Sequence, residues 1–254
     1  MLRGSRVEGS GLPTSQTPAP WKIALAALGK CTLALAVFSI IFGGWIFAKA
    51  REPLPGASDR EGACVLWFVG SSSMSRWNTL QQDLQPWIAQ NRGIGGATMS
   101  EINLHFEHDQ AKHRPQAIIY YAGDNDLAFG RTVDETIADL REFLAIKSRL
   151  FGQTPVFIIS LKPSPTRWDR RAQQGEFNAA ARAMADKQAD VAYVDTVPLL
   201  LEQGRPGPFF NEDGLHLNDE GYRRWKVALR HSMSEAMPID VLKKCDPQLL
   251  QPTA

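Results

Sequence analysis

From about residue 64 onward, two hydrophobic rhythms alternate along the chain. Runs of apolar and β-branched residues at 65–69, 117–121, 156–161 and 191–194 predict strands buried on both faces. A weaker strand is expected to end near Asn91. Between the runs, Trp77, Leu80, Leu84 and Trp87 recur at three- and four-residue steps, as do Val133, Ile137, Leu140 and Leu144. Each set predicts one buried helix face. Thr132 with Glu135, and Thr98 with Glu101, have the spacing of capping boxes that start helices, and Tyr222, Trp225 and Leu229 mark a last helix. This alternation predicts an α/β fold, three αβα layers around a parallel, flavodoxin-like sheet.

The N-terminal fifth follows a different pattern. Residues 1–21 are rich in Gly, Ser, Thr and Pro and read as a disordered arm. Cys31 to Ala48 then carries no charge at all. As a helix that stretch would reach about 27 Å, close to the ~30 Å hydrocarbon core of a bilayer. Residues 22–50 therefore read as a transmembrane anchor, with a signal segment cleaved after Ala50 as the alternative, since Ala48-Lys49-Ala50 fits a small-x-small site. An anchor would place the catalytic domain on the periplasmic or extracellular side; cleavage would make the protein secreted. Flanking basic residues, Arg3, Arg6 and Lys22 before and Lys49, Arg51 and Arg60 after, do not decide orientation. The expected organisation continues with a linker over 51–62, the main domain over 63–235 and a tail over 236–254.

Composition narrows the function classes. With 28 basic against 27 acidic residues among 254, net charge implies no nucleic-acid partner. Of the three cysteines, Cys31 lies in the apolar run, which leaves Cys64 and Cys245 for the domain, either bridged in an oxidising compartment or as two separate thiols. His105, His108 and His113, with Glu107 and Asp109, have no cysteine or HExxH pattern beside them. That segment reads as a solvated helix, and no metal site is expected. His231 reads as a surface residue, and Tyr120-Tyr121 as core.

Four short motifs carry the chemistry: Gly70-Ser71-Ser72, Asn91 to Gly96 (Asn-Arg-Gly-Ile-Gly-Gly), Gly123-Asp124-Asn125-Asp126, and Asp213-Gly214-Leu215-His216. Three follow a predicted strand at its carboxyl end, where open parallel sheets bind ligands. A Ser72 hydroxyl at a strand-to-helix turn can attack a carbonyl, and a carboxylate three residues before His216 can fix the imidazole tautomer. The Asn125 amide and the N–H groups of Gly96 and Ser72 can hold an oxyanion. Each motif also has a plainer reading: a helix cap for the serines, a turn for Asp213-Gly214, an Asx turn for Asn125 and a positive-φ loop for Gly95-Gly96. Their order and common rim favour acyl transfer over four separate turns.

Together the four blocks resemble the SGNH (GDSL) hydrolase superfamily, nearest its platelet-activating-factor acetylhydrolase-like esterases, over about residues 65–225. The resemblance implies Ser72 as nucleophile, His216 as general base, Asp213 as its partner, and Ser72, Gly96 and Asn125 as the oxyanion hole. It implies no metal or organic cofactor. Ser71 stands where the family has aspartate, and Ser73 is an alternative nucleophile. The stretch 161–168 should overhang the same rim, with Arg167 and Trp168 as substrate contacts or simply parts of a rigid proline-rich loop. The expected activity is hydrolysis of small acyl esters, on a glycan or lipid, by a membrane-tethered serine esterase. Transfer of the acyl group to a glycan hydroxyl, or a non-catalytic envelope binding module, are the alternatives.

Overall fold

The structure, a computed structural model, describes residues 20–49, 51–56, 64–109 and 114–251. It divides into two compact units, Met1–Lys49 and Ala50–Ala254. The described part of the first is one helix, α1 (Pro20–Lys49). Only some of its side chains are described, and among the described residues no helix is long and apolar enough to cross a membrane. The arm lies outside the described residues up to 19, as does His113.

The second unit is a three-layer α/β fold. Its sheet is built from β1 (Val65–Gly70), β2 (Ile88–Gly93), β3 (Ala117–Tyr121), β4 (Val156–Ile159) and β5 (Val191–Val194). All pairings are parallel, in the order β2-β1-β3-β4-β5, which is the flavodoxin-like winding. Side-chain alternation divides the core between two helix layers. On one face Trp67 meets Phe151 edge-on and Tyr120 stacks on Phe143, both partners lying on α6 (Val133–Phe151). On the other, Phe68 meets Trp77 and Tyr121 packs on Trp225 of α8 (Asp219–Ala236). Tyr120 and Tyr121 are both fully buried, and His231 is exposed.

The helix starts follow the capping signals. Thr132 and Glu135 close a capping box on α6, and Thr98 and Glu101 close another on α4 (Met99–Glu107). The periodic set Trp77, Leu80, Leu84 and Trp87 behaves differently from expectation. All four side chains are buried, but only Leu80–Asp83 is helical there, as α3, after the single turn α2 (Ser72–Ser75). Pro86 cannot continue a helix, because it lacks an N–H and its ring clashes with the preceding turn. Trp87 is instead held by its N–H on the Leu84 carbonyl, just before β2. Helix α7 (Arg171–Ala185) adds to the α6 side, an element the periodicity reading did not single out.

The stretch expected as a tail contains a further helix, α9 (Ile239–Cys245). Cys245 is bonded to Cys64, immediately before β1, across 181 residues of chain. Asp246, fully buried, receives Trp87 Nε1 and Arg230 Nη2 at 3.1 and 2.9 Å. The described half of the expected linker is equally fixed. Leu54 is buried, and the carbonyls of Leu54 and Pro55 accept from the buried Arg92 guanidinium. His105 Nδ1 lies 2.7 Å from the Glu52 carbonyl, and His108 Nδ1 lies 2.8 Å from that of Leu104.

Closing so long a loop removes much freedom from the unfolded chain. Replacing Cys64 and Cys245 together by Ala is expected to lower unfolding free energy by about 2–5 kcal/mol. Urea denaturation followed by tryptophan fluorescence checks this; an unchanged midpoint would contradict it.

Candidate active site

The site forms where β1, β2, β3 and β4 end. Gly70 closes β1 against β3 so tightly that a Cβ there would lie 2.1 Å from the Tyr121 carbonyl oxygen, the same oxygen that accepts the Ser71 N–H at 3.0 Å. Any side chain at Gly70 would push the serine turn off the sheet. The chain then enters α2 with Ser72 at its first position. Beneath it, Ser73 is buried, and its carbonyl accepts the Tyr222 hydroxyl at 2.9 Å. Tyr222 in turn stacks on Trp77, so α8 fixes the turn from below.

Ser72 Oγ lies 2.9 Å from His216 Nε2, and His216 Nδ1 lies 2.6 Å from Asp213 Oδ2. Of the two serines offered by the sequence, it is Ser72 that reaches the imidazole. Asp213 Oδ1 accepts the backbone N–H groups of Leu215 and His216, both at 2.9 Å, so the carboxylate is held by its own turn. Burial raises its pKa, but the hydrogen bonds from the His216 ring and from these two N–H groups outweigh burial and keep it well below the usual carboxylate range. For His216, desolvation is the largest influence and lowers the pKa. Asp213 opposes it, while Arg76 and Lys162 add to it, and the net result lies below the ordinary 6.5. The shift favours the neutral imidazole, the form able to accept a proton.

The three groups expected as oxyanion donors follow the ends of neighbouring strands. The N–H of Ser72 and that of Gly96 have no backbone acceptor among the described residues. Gly96 holds φ +78°, a conformation other residues rarely adopt, which turns the loop after β2. Asn125 lies in α5 (Asp124–Ala128), directly after β3. Its Nδ2 donates to the Ala97 carbonyl at 2.9 Å, and its Oδ1 accepts from Arg167 Nη2 at 2.8 Å. Asp126 accepts the Met99 N–H, tying α5 to the start of α4 and so to the Gly96 loop.

The stretch after β4 does more than overhang the rim. The Thr166 N–H donates to the Gly214 carbonyl and its Oγ1 to the Asp213 carbonyl, bracing the turn that carries the imidazole. Arg167 Nη1 and Lys162 Nζ both meet Asp124 Oδ2, at 2.9 and 3.0 Å, while Gln174 Nε2 donates to Oδ1. Burial pushes the Asp124 pKa up, but Lys162 and Arg167 outweigh it and hold it below the ordinary value. Trp168 is half-buried beneath the Arg171 guanidinium. Arg76 is a residue the sequence reading passed over. One turn after Ser72, it places Nη1 3.1 Å from His216 Nδ1 and 3.4 Å from Asp213 Oδ2.

A cavity of about 200 Å³ opens beside the Gly96 loop, lined by Ile94, Gly95, Gly96, Ala97, Glu101 and His105.

The fold has many solved counterparts. A Streptococcus pneumonia protein named for platelet activating factor shares 20% identity over 80% of this chain and 97% of its own, with a TM-score of 0.60. A candidate acylhydrolase from Bacteroides fragilis gives 20% identity over 76% and 96%, with a TM-score of 0.61. A carbohydrate esterase family 3 protein from Talaromyces cellulolyticus gives 16% over 72% and 100%, with a TM-score of 0.52. At such identities the likeness is one of fold. No curated protein matches the chain. The family model of GDSL-like lipases and acylhydrolases, however, matches residues 61–224, well over half the sequence, and the chain therefore belongs to this GDSL, or SGNH, hydrolase family.

Proposed function

We propose that this hydrolase is a serine esterase that cleaves short acyl esters through an acyl-enzyme. The observation that carries the reading is the continuous chain from Asp213 through His216 to Ser72, at 2.6 and 2.9 Å. In the first step Ser72 Oγ attacks the ester carbonyl while His216 Nε2 takes its proton. Charge on the former carbonyl oxygen is met by the N–H groups of Ser72 and Gly96 and by the Asn125 amide. His216 then returns the proton to the departing alcohol. Water, deprotonated by the same imidazole, attacks the acyl-enzyme and releases the acid and Ser72.

An acetyl ester of a glycan, or a lipid ester of similar reach, is the substrate class we assign. A membrane tether is part of the same reading. It is supported by the uncharged run from Cys31 to Ala48 in the sequence. The exposed side chains of Leu35, Phe38, Ile40, Ile41 and Trp45 leave α1 an apolar surface in need of cover.

With p-nitrophenyl acetate as substrate, Ser72→Ala and His216→Ala are each expected to lower kcat by about 10⁴-fold or more, whereas Ser73→Ala keeps most of it. Wild-type turnover in the first two variants would refute the reading. The pH profile carries a sign. Because His216 titrates below 6.5 and acts as the neutral base, kcat/KM should hold below that pH and fall only as the lowered pKa is passed. Arg76→Gln removes a cation beside the ring, so the acid limb should move upward; a downward shift would contradict the assigned geometry. Alkaline carbonate extraction of membranes from expressing cells should leave the full chain in the pellet. Release into the supernatant as a product beginning after Ala50 would replace the tether by a cleaved signal.

A further inference from the structure

We propose that Arg167 is a positioning residue that orients and polarises the Asn125 amide, held in place for that purpose by the buried Asp124–Lys162 pair. The inference rests on the reading of Asn125 as an oxyanion donor. A side-chain amide can flip, exchanging an N–H₂ group for a carbonyl. With the carbonyl turned toward developing negative charge, Asn125 would oppose the reaction. Two contacts select the useful orientation. Oδ1 accepts from Arg167 Nη2 at 2.8 Å, and Nδ2 donates to the Ala97 carbonyl at 2.9 Å. Exchange would set Oδ1 against a carbonyl oxygen and the amide hydrogens against a guanidinium. One Nδ2 hydrogen remains for the oxyanion.

The same contact also strengthens that donor. A charged group on Oδ1 draws electron density from the amide, and hydrogen bonds in such a chain reinforce one another away from water. Arginine suits the task because its planar fork engages Asn125 through Nη2 and Asp124 Oδ2 through Nη1 together. Asp124 is itself fixed by Lys162 Nζ at 3.0 Å and by Gln174 Nε2 at 3.0 Å. The Arg167 side chain is 14% exposed and that of Lys162 only 1%. Two cations on one carboxylate leave a net positive charge behind the amide. Both terminal nitrogens of Arg167 are engaged by protein, Nη2 on Asn125 and Nη1 on Asp124.

A double-mutant cycle on the full-length chain, with p-nitrophenyl acetate as the probe ester, tests this. Arg167→Met is expected to lower kcat about tenfold while KM changes less than about twofold. In an Asn125→Ala background the same substitution should change kcat less than about twofold. Arg167→Lys keeps the charge but cannot span both partners, so it should lose activity as Arg167→Met does. If Arg167→Met does not fold, Arg167→Lys in both backgrounds closes the same cycle. An undiminished loss in the Asn125→Ala background, a loss carried by KM, or no loss at all would overturn the inference. Ser72→Ala and His216→Ala separate this from the underlying reading. If both retain turnover, the esterase assignment fails; if both abolish it while the cycle shows no coupling, only the role of Arg167 falls.

Discussion

The Asp124 carboxylate joins more of this domain than any other single group at the site. Its residue follows the β3 end, and its partners Lys162 and Arg167 come from the loop after β4, with Gln174 from α7 and Tyr121 from β3 itself. A buried carboxylate is costly unless every lone pair is met, and losing one partner of such a cluster typically costs about 3–5 kcal/mol. The cluster therefore resists separation of the loops that meet there. Because Thr166, one residue before Arg167, also holds the Asp213–Gly214 backbone, Asn125 and the turn that carries His216 are tied to one loop.

Much of this arrangement was legible in the sequence. Strands buried on both faces announce themselves as unbroken apolar runs, and capping boxes at Thr98 and Thr132 mark helix starts by chemistry local to four residues. The four motifs could be placed on one rim because each follows a strand or precedes a helix. Local patterns failed where a single residue overrides periodicity. Pro86 breaks the segment whose apolar spacing reads as one helix, although the side chains are still buried as that spacing requires.

What was not legible are contacts between residues far apart in the chain. Lys162 and Asp124 each sat inside a stretch already marked as informative, yet nothing in a separation of 38 residues says that they meet. Arg167 was legible as a rim residue, but its commitment to Asn125 depends on how the loop after β4 folds back across β3. Arg76 offered one signal, its position one turn after Ser72. The choice between Ser72 and Ser73 likewise depends on the direction of one turn, set by Gly70 against the Tyr121 carbonyl and by Tyr222 from α8.

The cations around the site differ in their access to solvent. Arg76 is 57% exposed, and mobile ions can gather around its guanidinium; at about 0.1 M salt, charges in water more than ~10 Å apart scarcely sense one another, and even closer exposed pairs are weakened. Lys162 and Arg167 are shielded from those ions by the protein itself. Ionic strength thus divides the electrostatics of the site: seawater-like salt would quieten the influence of Arg76 on the imidazole and leave the field behind the Asn125 amide nearly intact.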